Sequence, residues 1–314
     1  MFCSTIIPTI GRPTLRRAVQ SVLDQSPHKD FEIIVVNDTG EALPDADWQR
    51  CSRVTLVTTN CRERSIARNT GAAIAKGRFL HFLDDDDWIL PGALLVLGGL
   101  ACTNQAAWLY GASQLVDRSE KPIIQLHSEM SGNCFVQAIA GEWIPLQASL
   151  IRADTFFKVG GFNPRLSSLE DIDLCRRIGL VGDFAFTSEV VACIAMGVEN
   201  STTDFGRSAV ESRWAREEVL DMPFAFSRMR LSANSSYWFG RSIRAYLTSA
   251  VWNVKRGRGF TAASRLMYGF AGLPLGGGRL LSKDYWRAVT KRYESETFLR
   301  EFRKENRKFF IETP

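Results

Sequence analysis

The sequence predicts an α/β fold, a Rossmann-like sheet over roughly the first 200 residues followed by a helical region. Three observations carry that prediction. The first 90 residues alternate short apolar runs with segments of helical period, the βαβαβ rhythm of a sheet with parallel strands. Two of the apolar runs end in acids, at the edge where such sheets present their ligands. Beyond about residue 205 the pattern turns helical and the charge changes sign. Residues 201–314 carry 21 Lys and Arg against 11 Asp and Glu, and residues 1–200 carry 18 against 23.

The elements follow in order. Ser4–Ile7 reads as a buried strand, and Thr14–Gln25 as a helix that starts after Pro13 and faces inward through Leu15, Ala18, Val19, Val22 and Leu23. Phe31–Val36 and Val54–Val57 are the next strands. Ser65–Lys76 reads as a helix with Ile66, Ala73 and Ile74 inward and Gly77 as its stop. Arg78–Leu83 is a fourth strand that ends in four consecutive acids, and Pro91 opens another helix. Short strands are expected at Trp108–Gly111, Ala148–Ile151 and Val190–Ile194, with a helix from about Glu170. In the C-terminal region Ile243, Tyr246, Leu247, Ala250, Val251 and Val254 form one helical stripe, with Arg241, Arg244, Thr248 and Lys255 on other faces. Tyr285–Phe310 mixes aromatic and basic residues at similar spacing.

A chain of 314 residues holds one large or two smaller domains. The charge switch puts the division at 1–205 and 206–314. With 45% hydrophobic and 23% charged residues, disorder and a fibrous fold are excluded. Seven cysteines without a C-x-x-C pair read as reduced, mostly buried thiols, so neither a zinc framework nor a disulfide scaffold is expected. The start has no basic stretch before a cleavage site, and no run of about 18 apolar residues occurs. A cytoplasmic protein is the expectation.

Asp84, Asp85, Asp86 and Asp87 follow an apolar strand directly. Like charges at that density repel, and a divalent cation such as Mn²⁺ or Mg²⁺ resolves the repulsion while sharing substrate phosphate oxygens. A solvated acidic turn is the bland alternative, and the strand-end placement favours the metal.

The segments Ile6-Ile7-Pro8-Thr9, Phe31 to Asp38, Ala67-Arg68-Asn69-Thr70-Gly71 and Phe82 to Asp87 with Pro91 resemble, in order and spacing, family 2 of the glycosyltransferases over roughly residues 3–200. The resemblance implies the GT-A fold with a mixed central sheet, and an inverting transfer from a nucleotide sugar, a UDP-sugar above all. It implies that Pro8 and Thr9 line the base pocket and that Asp38 accepts from the uracil N–H. Arg64 and Arg68 fall at nucleotide-site positions, with Arg68 also suited to bracing the acidic loop. The spacing to Pro91 sets the D-x-D pair at Asp84 and Asp86, which gives Asp84 and Asp85 to ribose and sugar hydroxyls and Asp86 to the metal. Gly160-Gly161-Phe162 followed by Glu170-Asp171 resembles the family's acceptor-side motif, which makes Asp171 the catalytic base and Glu170 its acceptor-side neighbour. An inverting transfer needs such a base, although acids at a helix start also have a purely electrostatic reading, and that placement by itself lowers a carboxyl pKa.

The sequence departs from the family pattern at Asn37, where an acid is usual. Near Met196–Ser201 there is no His of the kind that approaches the metal in relatives; Glu199 is the acid that could replace it, and a plain loop acid is the favoured reading. His28, His81 and His127 are scattered, and His81 reads as a satisfied core residue. The basic, aromatic C-terminal region is expected either to pack on the catalytic domain or to meet an anionic membrane surface beside a carbohydrate or lipid-linked acceptor, peripherally at the inner face; a homo-oligomer contact is a further use. Nucleic acid is disfavoured because no binding motif is recognisable. A nucleotidyltransferase on a similar sheet and a catalytically silent scaffold are the competing functions.

Overall fold

The computed structural model describes residues 1–25, 30–196 and 205–290. His28, Glu199 and the part of the aromatic–basic segment past residue 290 lie outside the described residues. Among the described residues nine strands form one sheet. They are β1 (Cys3–Thr9), β2 (Phe31–Asn37), β3 (Val54–Thr58), β4 (Phe79–Phe82), β5 (Trp88–Ile89), β6 (Trp108–Val116), β7 (Pro122–Leu126), β8 (Ser149–Arg152) and β9 (Phe184–Ala195). Their order is β3-β2-β1-β4-β8-β6-β9-β5, with β7 paired to β6. The first four strands are parallel, and the sheet becomes mixed where β8 joins β4 antiparallel.

The helices are α1 (Leu15–Leu23), α2 (Arg64–Ile74), α3 (Ala93–Thr103), α4 (Phe135–Ala140), α5 (Ala153–Lys158), α6 (Glu170–Val181), α7 (Phe205–Asp221), α8 (Ala225–Ser232), α9 (Ser236–Lys255), α10 (Gly259–Leu275) and α11 (Lys283–Thr290). None of them is long and apolar enough to cross a membrane. The chain divides into two compact units: Met1–Gly132 with Trp143–Ser212, and Asn133–Glu142 with Arg213–Pro314.

In the first unit β1 and β2 are buried along almost their whole length because helices cover both faces. Cys3 and Ile7 pack with Ala18, Val19 and Val22 of α1, while Ile6 faces α2. Each such fully buried aliphatic side chain contributes about 1.5–3 kcal/mol. The expected inward face of α2 is corrected: Ser65, Ala67, Arg68, Gly71 and Ala72 are buried, and Ile74 is exposed. Small residues face the sheet so that the helix can approach it. A Cβ on Gly71 would lie 2.5 Å from Ile6 Cγ2. Pro91 does not open α3, because Gly92 at φ +80° makes a turn first and the helix begins at Ala93. β9 starts six residues before the expected strand, and its pairing with β6 shifts register near Gly111, which obscures the alternation.

The second unit is helical. α9 is enclosed by α4, α8, α10 and α11, so polar as well as apolar residues are covered. The expected stripe is therefore revised: Arg241, Ser249 and Asn253 are buried with Ile243, Tyr246 and Ala250, whereas Val251 and Val254 are exposed. Much of the aromatic–basic interleaving is internal packing. Arg256 lies 5.0 Å from the Trp214 ring and 4.6 Å from the Trp252 ring. Cys3, Cys134, Cys175 and Cys193 are buried free thiols, and Cys61 and Cys102 are exposed.

Candidate active site

The carboxyl ends of β1, β2 and β4 converge on one edge of the sheet. Pro8 lies in β1 two residues past the last β4 partner, Ile6, where a missing N–H disturbs no pairing with that strand. Thr9 ends the strand and donates its hydroxyl to Asp85 Oδ2 at 2.6 Å. Arg12, in the following turn, donates to Asp85 Oδ1 at 2.5 Å and stands 3.7 Å from Asp86. Asp85 is thus fully buried and both its oxygens are engaged.

Asp38, just after β2, accepts from the Thr59 hydroxyl at 2.7 Å and from the backbone N–H groups of Cys61 (2.8 Å) and Glu63 (2.7 Å). It shapes the loop that leads into α2. A carboxylate has about four acceptor positions, so room for one further donor remains.

Asp84, Asp86 and Asp87 each turn one oxygen into a common space, all within 4.8 Å of one another. Their environments differ. Burial opposes ionisation of Asp84, but Arg68, with Arg64 and Arg12 behind it, holds its pKa below the usual range. Burial and the charge of Asp84 push Asp86 up to about 6. Asp87 is raised well above the usual carboxylate range by burial and by both neighbouring acids, although its Oδ1 accepts from Ala195 N–H at 2.8 Å. Three hard oxygen donors held together against their own repulsion suit Mg²⁺ or Mn²⁺.

The Glu170-Asp171 pair sits at the start of α6. Glu170 is buried, and Asp171 beside it is partly buried. Asp171 accepts the indole N–H of Trp143, and Ile172 N–H donates to its other oxygen at 2.7 Å. The helix start alone would depress this carboxyl, yet burial and the Glu170 charge raise it to about 6.

Arg68 joins the two carboxylate groups. Its guanidinium donates at 2.7 Å to Asp84 Oδ1 and at 2.7 Å to Glu170 Oε1, and it lies 5.2 Å from the Phe162 ring. Arg64, half exposed, stands 3.7 Å from Glu170. Asn69 accepts from Phe162 N–H at 2.9 Å and donates to its carbonyl at 2.8 Å, so α2 also fixes the Gly-Gly-Phe turn. Arg177 ties Asp173 (2.6 Å) to the carbonyls of Val159 and Gly161.

Pro8, Thr9, Asp38, Arg64, Arg68, Asp84, Asp85, Asp86, Glu170 and Asp171 thus all belong to the first unit, at this edge and at the start of α6. Asp85 faces Thr9 and Arg12 rather than the three-carboxylate space. Arg12, Trp143 and Gln147, which donates to Asp84 Oδ2 at 3.0 Å, escape the sequence reading, and Asp87 enters it only as part of the acidic run. The Gly-Arg turn after β1 was a usable signal for Arg12; Trp143 and Gln147 sit in a stretch without periodicity. His81 is the satisfied core residue expected: Gln147 O lies 2.9 Å from Nε2, Thr5 Oγ1 lies 3.1 Å from Nδ1, and burial lowers its pKa to about 4.

Comparison with known proteins bears on the family and the fold. The family model described as glycosyl transferase family 2 matches residues 4–166. An uncharacterized glycosyltransferase of Haemophilus influenzae is 27% identical over 183 residues, 56% of this chain and 61% of that protein. The UDP-Glc:alpha-D-GlcNAc-diphosphoundecaprenol beta-1,3-glucosyltransferase WfaP of Escherichia coli is 35% identical over 83 residues, 24% of this chain and 32% of that protein. Both matches span less than two thirds of the relatives' own length. The structure of S. aureus TarS 1-349 in complex with UDP-GlcNAc superposes with a TM-score of 0.62 at 14% identity, covering 87% of this chain and 92% of that one. That likeness shows the fold, and the GT-A architecture with a helical C-terminal region is as expected.

Proposed function

The chain belongs to glycosyl transferase family 2, and we propose that it moves a sugar, with inversion, from a UDP-sugar to an acceptor hydroxyl in cell-surface polysaccharide or glycolipid assembly. The observation that carries this reading is Arg68, whose single guanidinium links Asp84 of the acidic loop to Glu170, the neighbour of Asp171. That link holds a donor side and an acceptor side in fixed register, as a one-step displacement requires.

Pro8, Thr9 and Asp38 bound the space for the nucleotide base, and the fourth acceptor position of Asp38 takes the uracil N–H. Asp84, Asp86 and Asp87 would hold Mn²⁺ or Mg²⁺, which when bound would supply positive charge against the departing diphosphate. Asp171 takes the proton of the acceptor hydroxyl as the new C–O bond forms on the face opposite the leaving group. Its raised pKa suits that task, because a base near the working pH captures a proton more readily than an ordinary aspartate. The TarS complex, which contains UDP-GlcNAc, and WfaP, whose name specifies UDP-Glc and a diphosphoundecaprenol acceptor, support the donor and acceptor classes. A cytoplasmic enzyme that works peripherally at the inner face of the membrane follows from a lipid-linked acceptor.

The test is turnover of a panel of UDP-sugars with Mn²⁺, assayed as release of UDP with and without acceptor lipid. Transfer or slow hydrolysis that chelation stops, and that Asp171→Asn reduces at least about 10²-fold while UDP still binds, is the expected result. Absence of turnover across all donors, with UDP binding intact, would instead make the chain a silent nucleotide-sugar scaffold.

A further inference from the structure

The second unit contains a cavity of about 300 Å³ that four arginines line: Arg213 and Arg216 of α7, and Arg241 and Arg244 of α9. Thr248 adds a hydroxyl, and Ile139 and Ala140, at the end of α4, also line it. Guanidinium groups repel one another, so the convergence of four on one space needs an explanation.

Internal partners account for part of it. Arg213 Nε lies 3.2 Å and Arg216 Nη2 lies 3.6 Å from the buried carboxylate of Glu217, which also accepts from Ser249 and Asn253. Arg213 Nη2 donates to the Thr248 carbonyl at 2.7 Å. The α9 pair meets carbonyls: Arg241 donates to Ala288 O at 3.4 Å, and Arg244 Nη1 donates to Val289 O at 2.6 Å and Thr290 O at 3.1 Å. Among the described residues Arg244 has no carboxylate within ion-pair distance, and the Nε and Nη2 donors of its fork carry no hydrogen bond. Burial, helped by the charge of Arg244, lowers Arg241 to about 10 against the pull of Tyr237 and Glu142, so it stays charged at neutral pH but under strain. Burial also lowers Arg213. An anion in the cavity relieves both.

We propose that this cavity is a binding site for a phosphoryl or diphosphoryl group, held by Arg213, Arg216, Arg241 and Arg244. The planar fork of arginine matches two oxygens of a phosphate at once, and a group with several charged oxygens is what lets several forks converge. The volume is at the lower end of small-ligand sites and exceeds what a lone water cluster needs. Nothing in this assignment depends on the UDP-sugar reading, since every residue in it belongs to the second unit.

The full chain is titrated calorimetrically with sodium pyrophosphate in chelated buffer. In parallel it is sedimented with vesicles of phosphatidylcholine alone and of phosphatidylcholine with phosphatidic acid. Binding of pyrophosphate without the vesicles identifies a soluble phosphoryl ligand; binding of the phosphatidic acid vesicles identifies a lipid headgroup, and either supports the site. Arg244→Gln is expected to weaken that binding at least tenfold. Ala140→Glu supplies a carboxylate from the wall; it is expected to abolish binding while the melting temperature holds or rises, which separates occupancy of the cavity from misfolding. No binding of either probe by the native chain, or binding that both variants retain at full strength, overturns the proposal.

Discussion

The indole N–H of Trp143 is hydrogen-bonded to the carboxylate of Asp171. A donor to the ionised form favours ionisation, so Trp143 pulls against the burial and the Glu170 charge that raise this carboxyl to about 6. Trp143→Phe keeps an aromatic ring, though a smaller one, and removes the donor. The acid limb of the kcat/KM profile is expected to move up, by roughly half a unit to one unit, with the plateau largely kept. A profile that does not move would leave Trp143 with a packing role alone.

Asp171 also predicts a change in stability. Folding raises its proton affinity above the ordinary value of 3.8. The linked stability is fully present below that value and is lost as pH rises through about 6. At pH 7.5 the ionised group is therefore held against its surroundings. Asp171→Asn is expected to raise the melting temperature at pH 7.5 by a few degrees, on the order of 1 kcal/mol, and by less at pH 4.5. Calorimetry at both pH values checks this, and a loss of stability at pH 7.5 would count against the raised pKa.

Arg68 is the single buried cation between Asp84 and Glu170. Removing it by Arg68→Met leaves a buried Glu170 with Arg64 as its remaining, half-exposed cation. A stability loss of about 3–5 kcal/mol is expected from urea denaturation, because breaking a buried pair strands a charge. Adding Glu170→Gln to Arg68→Met should recover a sizeable part of that loss without recovering transfer, since Asp84 would still lack its partner. Recovery of both would reduce Arg68 to a structural counterion.

The sequence made the strands of the parallel half legible as short apolar runs; β2 and β4 are the clearest, because both are buried and lead into acids, whereas β3 is largely exposed. It made Asp84, Asp86, Arg68 and Asp171 legible as candidates because they lie on short collinear motifs. What it hid follows from packing. The face of α2 was misread because Gly71 and Ala67, not Ile74, make the close approach to the sheet. α9 hides polar residues that an amphipathic stripe would put in water. Asp87 was left out of the pair because the spacing to Pro91 sets that pair at Asp84 and Asp86. The turn between Asp84 and Asp87, closed by the Asp87 N–H to Asp84 carbonyl bond at 3.1 Å, is what turns Asp85 away and brings Asp87 in.

That turn sets the last prediction. If Asp84, Asp86 and Asp87 form the cation site, neutralising either of the two raised acids removes both repulsion and a ligand. Asp86→Asn and Asp87→Asn are each expected to melt at or above the native temperature in chelated buffer, and to lose most of the upward shift that Mn²⁺ gives the native chain. A site filled at 100 times its Kd stabilises by about 2.7 kcal/mol, so the lost shift is readily measured. Asp85→Asn is the control. Its oxygens serve Thr9 and Arg12, so it should lower the metal-free stability and keep the Mn²⁺ shift. If Asp85→Asn erased the shift as completely as Asp86→Asn, the ligands would be a different pair of the four, and the division of labour within the acidic loop drawn from this geometry would be wrong.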